Sequence, residues 1–249
     1  MKIQLIRNAT MRIDYDDKMI LTDPFLGPKF SVESFAGISE NPLVDLPILP
    51  QEVIEGVDVV LLSHLHVDHF DMMAQKMLDK ELPIYCQGGD ELRVEAFDFL
   101  DVHPISDSVH IGNIEIIRVD GQHGTGEWGE RMGKVSGYIF KAEGEPTVYW
   151  CGDTIWTADV EEAVKKYSPE IIITHSSGAR FEGSEPIVMD DAQTVLVCQA
   201  APEAKVIAIH MDTLDHGKID RVGLANHAEN NGIPAGQLII PQDGEEIHF

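Results

Sequence analysis

Cations and thiols are scarce in this chain. Lys and Arg number 18 against 43 Asp and Glu across 249 residues, for a net charge of −25. Such a balance repels phosphate backbones and anionic headgroups, which argues against nucleic acid and membrane surfaces as partners. Its plainest role is a solvated, solubilising surface. The three cysteines, Cys86, Cys151 and Cys198, lie far apart and form no Cys-x-x-Cys pair. That usage fits a reducing cytoplasm. No apolar stretch reaches membrane-spanning length, and residues 1–10 carry no apolar segment followed by a cleavage site. Low-complexity tracts, short repeats and convincing linkers are missing too. A single cytoplasmic domain over residues 1–249 is therefore expected, at 43% hydrophobic and 24% charged residues.

Short apolar runs punctuated by turns read as strands at 2–6, 10–15 and 18–22, with Asp16-Asp17 as the tightest turn. Residues 27–50 show little periodicity and much Pro, Gly and Ser, the pattern of a long and often functional surface excursion. Val57–Leu62 reads as a buried strand. Helices are expected at 70–79 and 90–100, flanking a strand at 83–86. Strands follow at 102–105, 108–111, 114–119, 135–141 and 147–151, with a glycine-rich loop at 121–134. Helix and strand then alternate through 155–167, 171–174, 190–200, 205–209, 218–230 and 237–240. Helices covering the outer faces of packed sheets would bury these runs.

The chemistry concentrates in Ser63-His64-Leu65-His66-Val67-Asp68-His69-Phe70-Asp71. Three imidazoles and a carboxylate at the exit of a buried strand are costly unless something binds them. His64 and His66 stand two apart, so an extended segment points both the same way and they can chelate one metal. Asp68 and His69 diverge from that pair and can serve a second metal. Further candidates each follow an apolar strand: His123, Asp153 and His210. A sheet scaffold holds strand-end side chains rigidly around a shared cleft. Imidazole and carboxylate donors suit zinc, manganese or iron and point to metal-assisted hydrolysis.

With His64-x-His66-x-Asp68-His69, the later His123, Gly152-Asp153-Thr154 and the late His210, the chain resembles the metallo-β-lactamase-fold metal-dependent hydrolases. Leu21-Thr22-Asp23-Pro24 and Pro241-Gln242-Asp243-Gly244 extend the likeness over nearly the whole chain. Within that family it looks most like the branch containing the ascorbate-6-phosphate lactonases. The resemblance implies an α/β, four-layer αββα sandwich with a metal cleft at one edge. It implies that His64, His66 and His123 bind a first metal, that Asp68, His69 and His210 bind a second, and that Asp153 bridges. It further implies a metal-bound hydroxide as nucleophile, with Asp68 also catalytic. Relatives often carry a histidine in the first hairpin where this chain has Asn8.

His175 and Arg180 are the expected substrate-binding residues, Arg as a clamp for a phosphate or carboxylate, with a structural polar cluster as the alternative. His216 is either a support for the site or a helix-start residue. Glu127, Trp128 and Arg131 belong to a substrate-selecting lid or to a mobile loop. Cys151 reads as a core thiol and Asp23 as a turn-forming carboxylate. The expected protein is a hydrolase with two divalent ions, zinc first, acting on a small lactone or phosphodiester, and a homo-oligomer is compatible with this. Competing readings are a nuclease of the same fold, a non-catalytic metal-binding or sensing module, and a di-iron oxidoreductase, whose relatives typically replace a motif histidine with a carboxylate.

Overall fold

Period-two alternation explains how apolar runs such as Val59–Leu62 are buried on both sides. Val59 and Leu61 point into one core and Val60 and Leu62 into another. The computed structural model describes residues 1–249. The chain opens with an antiparallel meander of β1 (Lys2–Arg7), β2 (Thr10–Tyr15) and β3 (Lys18–Thr22), whose β2–β3 turn places Asp16 and Asp17 in left-handed backbone. After the excursion come α1 (Pro50–Ile54), β4 (Val59–Leu61), α2 (Met72–Met77), β5 (Ile84–Gln87), α3 (Glu91–Glu95) and β6 (Val102–Ile105). The second half runs β7 (Ser108–Ile111), β8 (Ile114–Gln122), α4 (Gly126–Met132), β9 (Lys134–Lys141), β10 (Val148–Trp150) and α5 (Ala158–Tyr167). It continues with β11 (Ile171–His175), α6 (Asp191–Ala200), β12 (Lys205–Ile209), α7 (Arg221–Asn230) and β13 (Leu238–Ile239), and β14 (Glu246–His248) closes the chain.

Two seven-stranded sheets result, ordered β14-β1-β2-β3-β4-β5-β6 and β13-β12-β11-β10-β9-β8-β7. Each is antiparallel at one end and parallel at the other. Their facing sides form one core, with Ile3, Met11, Leu61, Tyr138, Trp150 and Ile207 among its members. The outer face of the first sheet packs under α2 and α3 through Ala74, Leu78 and Val94. That of the second packs under α5 and α6 through Val160, Val164 and Val197. The layers are therefore helix, sheet, sheet, helix, the α/β sandwich expected from the motifs. No helix is long and apolar enough to cross a membrane.

Helices at 72–77 and 91–95 are shorter than the sequence pattern suggested, and the glycine-rich stretch contains α4 rather than a bare loop. Residues 27–49 are a loop except for one isolated bridge, Val32 to Asn41, and Pro50 already begins α1. Two buried side chains hold that loop. Arg7 donates to the carbonyls of Phe25 (2.8 Å), Gly27 (2.8 Å) and Val44 (3.0 Å). Asp215 accepts from Ser34 Oγ, from Asn41 Nδ2 (3.0 Å) and from the amides of Phe35, Ala36, Ile38 and Ser39.

Candidate metal centre

The donor side chains sit at the carboxyl ends of β4, β8, β10 and β12, where both sheets open onto one edge. Ligand sites in α/β proteins gather at such strand ends. His64, His66, Asp68 and His69 come from the first sheet; His123, Asp153 and His210 come from the second. Asp153 Oδ2 lies 3.2 Å from His69 Nε2, 3.4 Å from His123 Nε2 and 4.0 Å from His64 Nε2. Asp68 Oδ2 lies 3.3 Å from His69 Nε2 and 3.4 Å from His210 Nε2. His64 Nε2 and His66 Nδ1 are 2.9 Å apart. Donors each ~2.1 Å from one ion at tetrahedral angles stand roughly 3.4 Å apart, so these spacings fit metal-sized gaps. The potential donors fall into overlapping groups: His64, His66 and His123; His69, Asp153, His175 and His210, with Asp68 beside them; and Asp23, His64 and His69.

Electrostatics favour a cation there. Burial, reinforced by neighbouring imidazoles, pushes His64 well below its ordinary value, and burial brings His123 to about 4. Burial alone would raise Asp153, but His210, His69 and the His175 hydrogen bond hold it well below the usual carboxylate range. Asp68 is likewise lowered, against burial, by His69 and His210. His69 goes the other way: burial opposes its proton, yet Asp153, Asp68 and Asp23 raise it well above the normal histidine value. Ionised carboxylates and neutral imidazoles are the forms that ligate metals, and the pull on His69 is the pull a divalent ion would feel.

A surrounding set of residues fixes the donors. Asp23 accepts from His69 Nδ1 (2.6 Å), Ser63 Oγ (2.6 Å) and the Ser63 amide (2.8 Å). This leaves His69 Nε2 free to face the centre, the carboxylate–histidine arrangement common in metal proteins. Asp23 was read from sequence as a turn former; it does carry left-handed backbone (φ 36°), but its carboxylate also orients a donor. His123 Nδ1 donates to the Ile187 carbonyl at 2.7 Å, presenting Nε2 inward. Asn8, also left-handed (φ 58°), donates to the Asp68 carbonyl (3.0 Å) and carboxylate (3.3 Å), and its own carbonyl accepts the His210 amide at 3.1 Å. Asn8 thus tolerates this backbone and steadies two donors. His210 is itself left-handed (φ 67°), a strain of the kind that persists where surroundings over-determine a site.

The two expected substrate contacts lie elsewhere. His175 is fully buried; its Nδ1 bonds Asp153 Oδ1 at 2.5 Å and its Nε2 accepts the Trp150 indole N–H at 2.9 Å. Both ring nitrogens are committed, so His175 supports Asp153 from behind. Arg180 reaches Asp190 at 3.2 Å and does not line the cleft. Its partner caps α6, which fixes the guanidinium outside. What does line the cleft, of about 200 Å³, is His66, Asp68, His123, Asp153 and His216 with Phe35, Val67, Met132, Phe181 and Ile187. Sequence reasoning missed Phe35, Phe181 and Ile187, because isolated apolar residues in loops leave no periodic signal. His216 starts no helix, since α7 begins at Arg221. Trp128 of α4 stacks on Phe181 at 4.4 Å and 15°, so the stretch expected as a lid or a mobile loop holds a helix that packs against a cleft residue. Cys151 is buried in the second outer core and burial raises its thiol, as expected of a core residue.

The family model of the beta-lactamase superfamily domain matches residues 18–211. The UPF0173 protein YddR of Bacillus subtilis is 33% identical over 100% of both chains. The crystal structure of a possible metal-dependent hydrolase from Veillonella parvula superposes with a TM-score of 0.95 at 34% identity, covering 99% of this chain and 98% of that one. An isothiocyanate hydrolase from Delia radicum gut bacteria gives a TM-score of 0.93 at 31% identity over 100% and 99%.

Proposed function

This chain belongs to the beta-lactamase superfamily domain family and is a metal-dependent hydrolase, and from that premise we propose a two-metal enzyme for small uncharged substrates, lactones or isothiocyanates. The observation that carries the substrate class is the cleft itself. Apart from its donor residues and His216 it is walled by Phe35, Val67, Met132, Phe181 and Ile187, with no Lys or Arg among the lining residues. Beyond the ions themselves an anionic ester would meet no side-chain countercharge in these walls, whereas an apolar molecule with one electrophilic carbon fits them. The related isothiocyanate hydrolase is named for a substrate of that description.

His64, His66 and His123 would hold a first ion, Asp68, His69 and His210 would hold a second, and Asp153 lies within reach of donors of both groups. Zinc is the first choice for this donor set, with manganese or iron as alternatives. Divalent ions at these positions supply an acidified water and polarise a substrate oxygen or sulfur. The chain supplies the rest. Asp68, steadied by Asn8, lines the cleft beside the other donors and would orient the attacking water. The apolar walls exclude bulk water and bring the reacting carbon to the donors.

Metal-loaded protein assayed against alkyl lactones, alkyl isothiocyanates and a phosphodiester tests this reading, with turnover expected for an uncharged class. Turnover of the phosphodiester alone would overturn it. Asp68→Asn is expected to stay folded and lose about 10²-fold or more of kcat. A second reading, phosphodiester cleavage, rests on the neighbouring polar cleft, where Arg93 and Lys134 adjoin His64 and His66.

A further inference from the structure

Of the polar side chains in the apolar cleft, His216 is the one left over by the metal centre. Its side chain is 6% exposed, and its Nδ1 makes no hydrogen bond to any protein group. Buried polar atoms are almost always paired, and a cleft-lining ring that carries an unpaired one is poised to change partners when a ligand enters. The ring is also held in place. Phe35 meets it edge-on at 5.1 Å and 84°, and Phe181 lies at 5.6 Å and 32°. The His216 carbonyl accepts the Arg180 amide at 3.1 Å, and the neighbouring Asp215 is fixed by its contacts with residues 34–41. A side chain so braced, yet unsatisfied, is prepared for a contact that the free protein lacks.

Resting on the hydrolase reading above, we propose that His216 is a catalytic residue that hydrogen-bonds the leaving ring oxygen of a lactone substrate. The donor cluster and His216 line the same cleft, so a substrate held between them has its reacting carbon facing the donors and its leaving atom facing the imidazole. In lactone hydrolysis the oxygen of water bonds to the carbonyl carbon. The ring C–O bond breaks with its electron pair on the ring oxygen, and that oxygen takes a proton originating from the water. His216 gives a hydrogen bond and no net proton. Burial keeps the imidazole neutral by lowering its proton affinity, so one nitrogen carries the N–H that such a contact needs. Its worth grows as charge develops on the leaving atom, which is how donors accelerate a reaction rather than merely tighten binding.

The test compares two lactones: δ-valerolactone, which expels an alkoxide, and dihydrocoumarin, which expels a far more stable phenoxide. His216→Phe preserves ring shape and removes both nitrogens. It is expected to lose about 10²-fold in kcat/KM on δ-valerolactone, chiefly in kcat, and less than about tenfold on dihydrocoumarin. Metal content is expected to match wild type. His216→Gln, which keeps an N–H, is expected to show the same ordering with smaller losses and serves if the Phe variant does not fold. Equal losses on the two lactones, no loss on either, or a loss accompanied by missing metal would overturn the proposal alone. Wild-type protein inert toward lactones would overturn the proposal, and inertness toward isothiocyanates as well would overturn the functional reading with it.

Discussion

Two histidines exchange the roles that their sequence positions suggest. His175 ends β11 and invites a substrate contact, but both its nitrogens are bound, to Asp153 and Trp150. His216 lies in a polar turn and yet faces the cleft. His175→Ala is accordingly expected to weaken metal affinity by about 10- to 100-fold, the usual cost of removing a partner that orients a metal-binding carboxylate. Substrate selectivity should be unchanged once metal is restored. Metal titration beside a substrate panel distinguishes the outcomes; altered selectivity at full metal content would return His175 to the substrate. The donor motif was legible because His64-x-His66-x-Asp68-His69 combines strand alternation with a strand exit. Which late histidine lines the cleft was not, because it depends on Trp150 approaching from β10, a contact no spacing encodes.

At the level of elements, the long loop before α1 has no periodicity to read, and its order comes from outside itself. Asp215, nearly two hundred residues on, gathers the amides of Phe35, Ala36, Ile38 and Ser39 and thereby fixes the Phe35 wall. Asp215→Ala is expected to cost on the order of 2 kcal/mol, the scale of hydrogen bonds to a charged acceptor. It should also expose residues 31–41 to proteolysis at neutral pH. Hydrogen bonds from Ser34 and Asn41 lower the Asp215 carboxyl below its ordinary value, against the effect of burial. Its folded pKa is therefore below the unfolded value of about 3.9, so this stabilisation is complete above that pH and is lost as the pH falls through the folded value. Unfolding free energies of wild type and variant should converge in acid; a constant gap would show that the carboxylate charge is not what holds the loop. Strands were readable because both faces of β4, β10 and β12 are apolar. The short helices α2 and α3 were overextended because apolar residues such as Phe97 and Phe99 continue past them into irregular chain that packs on the same core.

Across the whole molecule, the centre carries Asp23, Asp68 and Asp153 within a cluster of buried imidazoles, inside a chain of net charge −25. Metal removal is therefore expected to lower the melting temperature. An ion present at about 100 times its Kd adds about 2.7 kcal/mol. For a domain of this size that corresponds to roughly 5–10 °C, measurable by scanning calorimetry with and without chelator. An unchanged Tm after verified metal loss would show that the donors are equally at ease without ions. The chain order sharpens this expectation. Residues up to β6 build six of the seven strands of one sheet, and β7 to β13 build the whole of the other, so only β14 crosses back. Four donors stand on the first sheet and three on the second. Neither half of the polypeptide owns a complete coordination set. The centre thus behaves as a logical conjunction of two folding events: occupancy reports that both halves have formed and have docked in register, and a fault in either is read out at the same place.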